Sequence, residues 1–206
     1  KESRLALAYI HSPSAKGYEA CFAHTPLPHV SVIGNHLTYS GESTTNQASL
    51  FRHGFVNEVG LGYYSSLGSS RNLILDLCYH SAFGNVAFRG SGNLSSHQNF
   101  YVESKFRKKS LLAGFTFLSN HLEAAFSVKL SQLSYADTRF SRYSPEYLSS
   151  SLMDTQKKYL AEPSLVLRAG WPNVKLYFGL ELSHSIVPSA LAMADKRVSG
   201  GLSFKF

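Results

Sequence analysis

The feature of this chain that most constrains its fold is an alternation of apolar and polar residues that recurs in one segment after another. A β-strand places successive side chains on opposite faces, so a period of two predicts strands with two chemically different faces. The pattern is clearest at the end of the chain, where Val198, Leu202, Phe204 and Phe206 share one face. The same sorting occurs in residues 55–64, 71–80, 122–131, 159–170 and 174–183. The sequence therefore predicts an all-β chain.

The segments between the predicted strands are alternately short and long, which is typical of an antiparallel up-and-down meander. We expect short turns at 25–28, 66–70, 119–121 and 171–173, and long loops at about 41–52, 82–97, 137–157 and 187–195. Nine strands follow residue 17, and Leu5–Ile10 supplies the tenth that antiparallel closure requires. Eight strands is the alternative, if the N-terminal segment or one weak hairpin lies outside the wall.

One stretch, residues 98–118, is longer than a bilayer-spanning strand needs to be. It is either one strand that projects beyond the bilayer or two strands broken at Arg107-Lys108-Lys109. Two strands would make the total odd, so we expect a single strand.

Composition indicates what the two faces meet. Charged residues make up only 16% of the chain and aromatic residues 13%, and no window approaches the ~18–20 apolar residues of a membrane-spanning helix. The polar faces carry Gly, Ala and Ser with single charges, which suits a narrow interior better than a water-facing surface. We therefore predict a single domain over residues 1–206, a transmembrane barrel of about ten strands in a bacterial outer membrane. A soluble, lipocalin-like ligand-binding barrel with the faces reversed is an alternative.

The polar faces assigned in this way carry six acids and five bases, a near balance that permits pairing inside the barrel. The remaining fifteen bases and seven acids fall in loops, turns and termini, so we expect the net charge of +7 to lie at the rims. Besides Glu19, the predicted luminal charge network consists of Glu58, Asp76, Glu123, Lys129, Glu162, Arg168, Lys175, Glu181, Arg197 and Lys205.

The rims have two predicted features. A basic patch of Lys105, Arg107, Lys108 and Lys109, with Arg89, Arg139 and Arg142, falls on the long-loop side. Lipopolysaccharide phosphates or an acidic partner would suit it, and a solvated rim is the alternative; nucleic acid is not an expected partner. Aromatic residues near strand ends suggest interfacial girdles, with ordinary strand aromatics as the alternative: Tyr18, Tyr39, Tyr63, Tyr64, Tyr79, Tyr159, Trp171 and Tyr177.

Catalytic and metal-binding arrangements are not evident in the sequence. Glu181, His184 and Ser185 are the residue types of a lipid-deacylating triad, but adjacent strand residues face opposite ways. Asp76 and His80 could form an acid–base pair, and filling of the lumen is the simpler interpretation. The nine histidines lack metal-ligand spacing, although His24, His29 and His121 fall in predicted short turns. We expect no enzymatic activity, no metal and no cofactor.

Several short segments resemble a family of small outer-membrane β-barrel proteins and barrel lipoproteins of Bacteroidota. They include Ala8-Tyr9-Ile10, residues 57–64, residues 122–131, residues 162–170 and the closing Gly201–Phe206, whose last residue resembles the terminal aromatic assembly signal of such barrels. The resemblance implies a non-enzymatic accessory or structural subunit of a larger outer-membrane complex, such as barrel assembly or type IX secretion. In that family the mature chain often begins with a lipidated cysteine, and Lys1-Glu2-Ser3 resembles the residues that follow one. A lipid-modifying outer-membrane enzyme is the alternative.

Overall fold

Every regular element in the described part of the chain is a β-strand. The computed structural model describes residues 2–13, 15–45, 48–68, 72–92, 98–141, 157–186 and 196–206. The strands are β1 (Ser3–Ser12), β2 (Ala15–Leu27), β3 (Val30–Thr45), β4 (Ala48–Leu67), β5 (Leu73–Gly92), β6 (Gln98–Leu118), β7 (Leu122–Phe140), β8 (Lys158–Gly170), β9 (Val174–Leu182), β10 (His184–Ser185) and β11 (Lys196–Lys205). No helix among these residues is long and apolar enough to cross a membrane.

The strands form one closed antiparallel sheet. Each of β1 to β8 pairs with its neighbours in the chain, β9 pairs with β8 and β11, and β11 returns to β1. The two residues of β10 follow Ser183 and continue the line of β9 along β8, where His184 lies opposite Ala161. The wall therefore has ten strands, which confirms the predicted ten-stranded up-and-down barrel, with the N-terminal strand in the wall.

Strand lengths partly differ from those expected. Residues 98–118 form the single long strand β6, as predicted. The prediction of long loops at 41–52 and 82–97 is wrong. Strands β3 and β4 pair as far as Thr45 and Ala48, and β5 continues to Gly92. A strand beyond the bilayer meets water and is as polar as a loop, so composition does not separate the two. Most of 137–157 and all of 187–195 lie outside the described residues, although β7 extends to Phe140.

The outward faces form an apolar belt around the barrel. On β7, Leu122, Phe126 and Leu130 are about half exposed, while Glu123 and Ser131 are buried on the inward face. Eight residue steps from Leu122 to Leu130 correspond to about 26 Å along the strand, which at a tilt of about 40° covers about 20 Å of the ~25 Å apolar band of outer-membrane barrels. This arrangement, with apolar side chains on the outside and charged side chains on the inside, is the reverse of that in a soluble barrel.

The barrel wall is much taller on one side. Strands β4 to β7 have 19 to 21 residues, whereas β1, β9 and β11 have 9 or 10. The predicted short turns at 25–28, 66–70, 119–121 and 171–173 lie together at one end, which we call the short-turn rim, so the extra length of β4 to β7 projects at the opposite end. We call this projection the tall wall; it comprises residues 51–57, 81–92, 98–109 and 132–140.

Candidate functional site in the barrel lumen

The lumen is crossed by ion pairs that join strands from different sides of the wall. Strand alternation directs every member of the predicted luminal network inward; Glu58, for example, lies between the outward-facing Asn57 and Val59. The pairs connect β1 with β7, β4 with β7, β6 with β8, and β2 with β11. These connections occupy the barrel interior with charged side chains.

Glu123 is the centre of the cluster nearest the short-turn rim. Its carboxylate accepts hydrogen bonds from Arg4 at 2.5 Å, Lys175 at 2.9 Å and Arg168 at 3.5 Å. Three cations thus surround one buried carboxylate. The sequence interpretation placed Glu123, Lys175 and Arg168 on one face, but missed Arg4 because the first strand was expected to begin after it.

A second carboxylate, that of Glu2, extends this cluster to the rim. Glu2 accepts from Arg4 at 2.8 Å and lies 2.9 Å from the Lys205 ammonium. Burial acts to raise the pKa of the Glu2 carboxyl, but hydrogen bonds from Lys205 and Arg4 outweigh it, and the pKa lies below its usual range. Lys205, predicted in the luminal network, therefore joins the first and last strands at the rim.

The middle of the lumen holds a layer of acids and bases. Glu58 lies 2.9 Å from Nδ1 of His80 and 3.6 Å from the Lys129 ammonium. Lys108 donates to Glu162 at 2.6 Å, and Glu162 also accepts from Ser131. On the far wall Arg197 donates to Glu181 at 2.7 Å and lies 3.8 Å from Glu19. We call Glu58, Lys108, Lys129, Glu162, Glu181 and Arg197 the charge layer.

The interior is more basic than the expected near balance. The inward faces of the described strands carry six acids, Glu19, Glu58, Asp76, Glu123, Glu162 and Glu181, against nine bases, Arg4, Arg52, Lys108, Lys129, Lys158, Arg168, Lys175, Arg197 and Lys205. The expectation that the positive excess lies at the rims is therefore wrong in part. Four bases were assigned elsewhere because they fall at strand ends or inside a basic run.

The predicted rim basic patch divides between two faces. Lys105, Arg107 and Lys109 are exposed on the outward face of β6, beyond Leu111 in the belt, and Lys105 lies 3.1 Å from Asp137. Lys108 does not belong to the patch, because the strand pleat turns it inward to Glu162. Of the flanking bases, Arg89 lies over the Tyr101 ring, Arg139 is exposed, and Arg142 lies outside the described residues.

The predicted girdle aromatics also divide. Tyr18, Tyr63, Tyr79, Tyr159 and Trp171 face outward and are exposed. Tyr39, Tyr64 and Tyr177 face inward, so their assignment to a girdle is wrong. In each case the neighbouring residues along the strand face outward. Phe206 is exposed at the short-turn rim, where its backbone N–H and C=O bond to Ser3 of β1.

The residues considered for catalysis do not come together. His184 pairs with Ala161 on the outward face, whereas Ser185 pairs with Leu160 on the inward face. Asp76 accepts a hydrogen bond from Thr116 at 3.2 Å, and His80 contacts Glu58 instead.

The three rim histidines bind different partners: His24 contacts Ser3, His29 contacts the Tyr64 carbonyl, and His121 contacts the Gly170 carbonyl. Within the described ranges, no group of three or more acidic, His or Cys residues could hold a metal ion.

A cavity of about 210 Å³ lies on the long-strand side of the charge layer. Its floor is the charge layer, and its walls include Leu37, Val56, Val86, Phe88, Phe106, Leu133 and Tyr135. Tyr39 and Arg52 line the cavity farther from the charge layer, toward the long-strand end of the barrel. The sequence indicated the charges of the floor other than Lys108. It did not indicate the cavity, because Tyr39 was expected at the interface and Arg52 in a loop.

Comparison with known proteins identifies the fold. No family model matches the chain, and no curated protein matches it significantly. Among solved structures, the translocator domain of the autotransporter NalP from Neisseria meningitidis has a TM-score of 0.58 and 8% identity, with 100% of this chain and 86% of that chain covered.

Two further structures show weaker likeness. A major outer membrane protein from Thermus thermophilus gives a TM-score of 0.48 and 8% identity, covering 100% of this chain and 99% of that one. The KdgM porin in complex with disordered oligogalacturonate has a TM-score of 0.41 and 10% identity, with 98% of this chain and 99% of that chain covered. Together with the apolar belt, the likeness to the NalP translocator domain confirms the predicted fold: the chain is an antiparallel β-barrel of the outer-membrane type, located in a bacterial outer membrane.

Proposed function

We propose that this barrel is a non-enzymatic accessory or structural subunit of a larger outer-membrane complex, of the kind that assembles barrels or carries out type IX secretion. The observation that carries the proposal is the set of ion pairs that cross the lumen, from Arg4 to Glu123 and from Lys108 to Glu162. A barrel whose interior is filled in this way offers its wall and rims, rather than a pore, to other molecules.

The tall wall is the surface best suited to a protein partner. Its outward face carries three exposed side chains, Phe51, Phe83 and Arg107. Aromatic residues and arginine are enriched at protein interfaces, and a projecting sheet presents them beyond the lipid. Phe83 lies directly opposite Arg107 in the β5–β6 pairing, so the two form one patch.

Purification in mild detergent from native membranes tests the subunit proposal. We expect envelope proteins to co-purify with the barrel, and the Phe83→Ser, Arg107→Glu double variant to lose them. Lys196→Glu reverses an exposed charge on β11, one of the short strands away from the tall wall, and this variant should retain them. A barrel that runs as a single species without co-purifying proteins contradicts the proposal.

The outward cations of β6 support a second contact, with lipopolysaccharide. Lys109 lies two positions above Leu111, at the edge of the belt, and Arg107 and Lys105 follow. Cations at this depth face the phosphates of the outer leaflet. Replacing all three by Gln should lower the amount of lipopolysaccharide that co-purifies; equal retention by the variant contradicts the contact.

The resemblance to barrel lipoproteins of Bacteroidota supports a further proposal, a lipid anchor attached ahead of Lys1. Glu2 and Ser3 lie at the short-turn rim, beside the end of β11, where an acyl chain could enter the membrane. Metabolic labelling with a palmitate analogue in the native organism should label the protein. Absence of label would refute the anchor and leave the barrel proposal intact.

A further inference from the structure

We propose that the cavity above the charge layer is a binding site for a small organic acid, with an apolar or aromatic body, whose acidic group is held by Arg52 and Tyr39. The site lies within the lumen and is separate from the wall surfaces discussed above.

The size and walls of the cavity suit the body of such a ligand. An apolar cavity of about 150 Å³ accommodates benzene, so about 210 Å³ accommodates a ring carrying one small substituent. Val86, Phe88 and Phe106 are buried and line one side, and Leu133 lies beneath them. These side chains provide an apolar surface that water solvates poorly.

The charge of the lining selects for an anion. Among the described residues that line the cavity, four carry basic side chains that face the lumen, Arg52, Lys108, Lys129 and Arg197, and three are acidic, Glu58, Glu162 and Glu181. Each of the three carboxylates lies within 3.6 Å of a lysine or arginine of the charge layer. The lining is therefore positive overall, and charge interactions are strong in a site of low dielectric.

Two polar groups on the upper wall are placed to hold the acid. Arg52 lies opposite Phe88 in the β4–β5 pairing and opposite Gly41 in the β3–β4 pairing, which puts it diagonal to Tyr39. The Tyr39 hydroxyl is buried and has no hydrogen-bond partner among the described residues. A buried hydroxyl normally has a partner, and a carboxylate beside Arg52 would accept its hydrogen bond.

Gly54 makes room for this arrangement. It lies opposite Tyr39, and a Cβ at Gly54 would fall 2.5 Å from the Tyr39 hydroxyl oxygen. The absence of a side chain lets the Tyr39 hydroxyl occupy this position in the upper part of the lumen.

Isothermal titration with three probes of equal shape tests the site. With the barrel in phospholipid nanodiscs, we expect benzoate to bind saturably, and benzylamine, a cation at pH 7, and neutral benzyl alcohol to bind at least tenfold more weakly. Absence of saturable benzoate binding, or equal binding of all three probes, overturns the proposal.

Variants locate the binding. Arg52→Gln and Tyr39→Phe should each weaken benzoate binding about tenfold or more, while Arg139→Gln, which removes an exposed cation outside the cavity, should leave it unchanged. Heat-modifiable migration on gels verifies that each variant is folded. Folded Arg52→Gln and Tyr39→Phe variants that bind benzoate like the parent protein would place the binding elsewhere and contradict the assignment.

Discussion

Arg4 on β1 donates a hydrogen bond to Glu123 on β7 at 2.5 Å, across the lumen and between residues 119 positions apart in the chain. The same carboxylate accepts from Lys175 of β9 and Arg168 of β8. One acidic side chain thereby connects four strands of the wall. The barrel is held together from inside by such contacts as well as by its backbone hydrogen bonds.

Replacing Glu123 should strongly destabilise the barrel. Glu123→Gln removes the carboxylate that Arg4, Arg168 and Lys175 share, so that Arg168 and Lys175 lose their ion-pair partner. Breaking a buried pair costs about 3–5 kcal/mol. The measurement is the free energy of unfolding by urea in lipid vesicles.

Asp137→Asn is the control for this variant. It removes the exposed Lys105–Asp137 pair, in which both side chains are about two-thirds exposed, and should cost less than about 1 kcal/mol. A Glu123→Gln variant as stable as the control would show that the luminal cluster does not stabilise the fold.

The belt predicts how the barrel tolerates an outward charge. Phe126 lies in the middle of the belt on β7, and Gln132 lies on the same face beyond Leu130. Arginine at the bilayer midplane of a barrel costs about 2–4 kcal/mol and near the interface about 0–1 kcal/mol. Phe126→Arg should therefore destabilise the protein in vesicles by the larger amount and Gln132→Arg by the smaller; equal costs contradict the assigned position of the bilayer.

A luminal glycine should be sensitive to added volume. Gly60 faces the lumen, and a Cβ there would fall 2.8 Å from Nδ1 of His80, which is itself 2.9 Å from Glu58. Gly60→Ala should force the imidazole ring to move and destabilise the barrel by about 1–3 kcal/mol, as overpacking does. Gly34→Ala, on the outward face with nothing within 4 Å, should be close to neutral in the same unfolding assay.

The rim cluster predicts a pH dependence. The pKa of Glu2 lies below its usual range because the hydrogen bonds from Lys205 and Arg4 outweigh the burial that acts to raise it. A lowered folded-state pKa stabilises the fold above the unfolded-state pKa, and this contribution disappears as the pH falls through the folded value. The parent protein should melt above Glu2→Gln at pH 7, and the difference should shrink below about pH 4. A difference that is constant from pH 7 to pH 3 contradicts the role of the carboxylate.

The regular parts of the fold were predictable because one period of two runs through them. On β7 the sequence correctly sorts Leu122 to Leu130 from Glu123 to Ser131, and ten strands follow from closure. The extents of β3, β4 and β5 were not predictable, because a strand that projects into water loses the apolar face that marks it. The paired ends of these strands therefore have the residue composition of loops.

One position was misassigned because its membership of a run of basic residues was given precedence over strand alternation. Lys108 was grouped with its basic neighbours, although the alternation Phe106, Lys108, Ser110 places it inward. That signal was in the sequence and could have been used. The cavity was not predictable, because it depends on how far β3 and β4 extend and therefore on where Tyr39 and Arg52 lie.

We propose that this barrel works through its surfaces and not as a pore, and conductance across a planar lipid bilayer tests this proposal most directly. The ion pairs across the lumen predict that the purified protein, once inserted, gives no stable conductance steps at moderate voltage. Insertion is verified in parallel by protease protection in vesicles of the same lipid. Reproducible, long-lived conductance steps from the inserted parent protein would contradict the account.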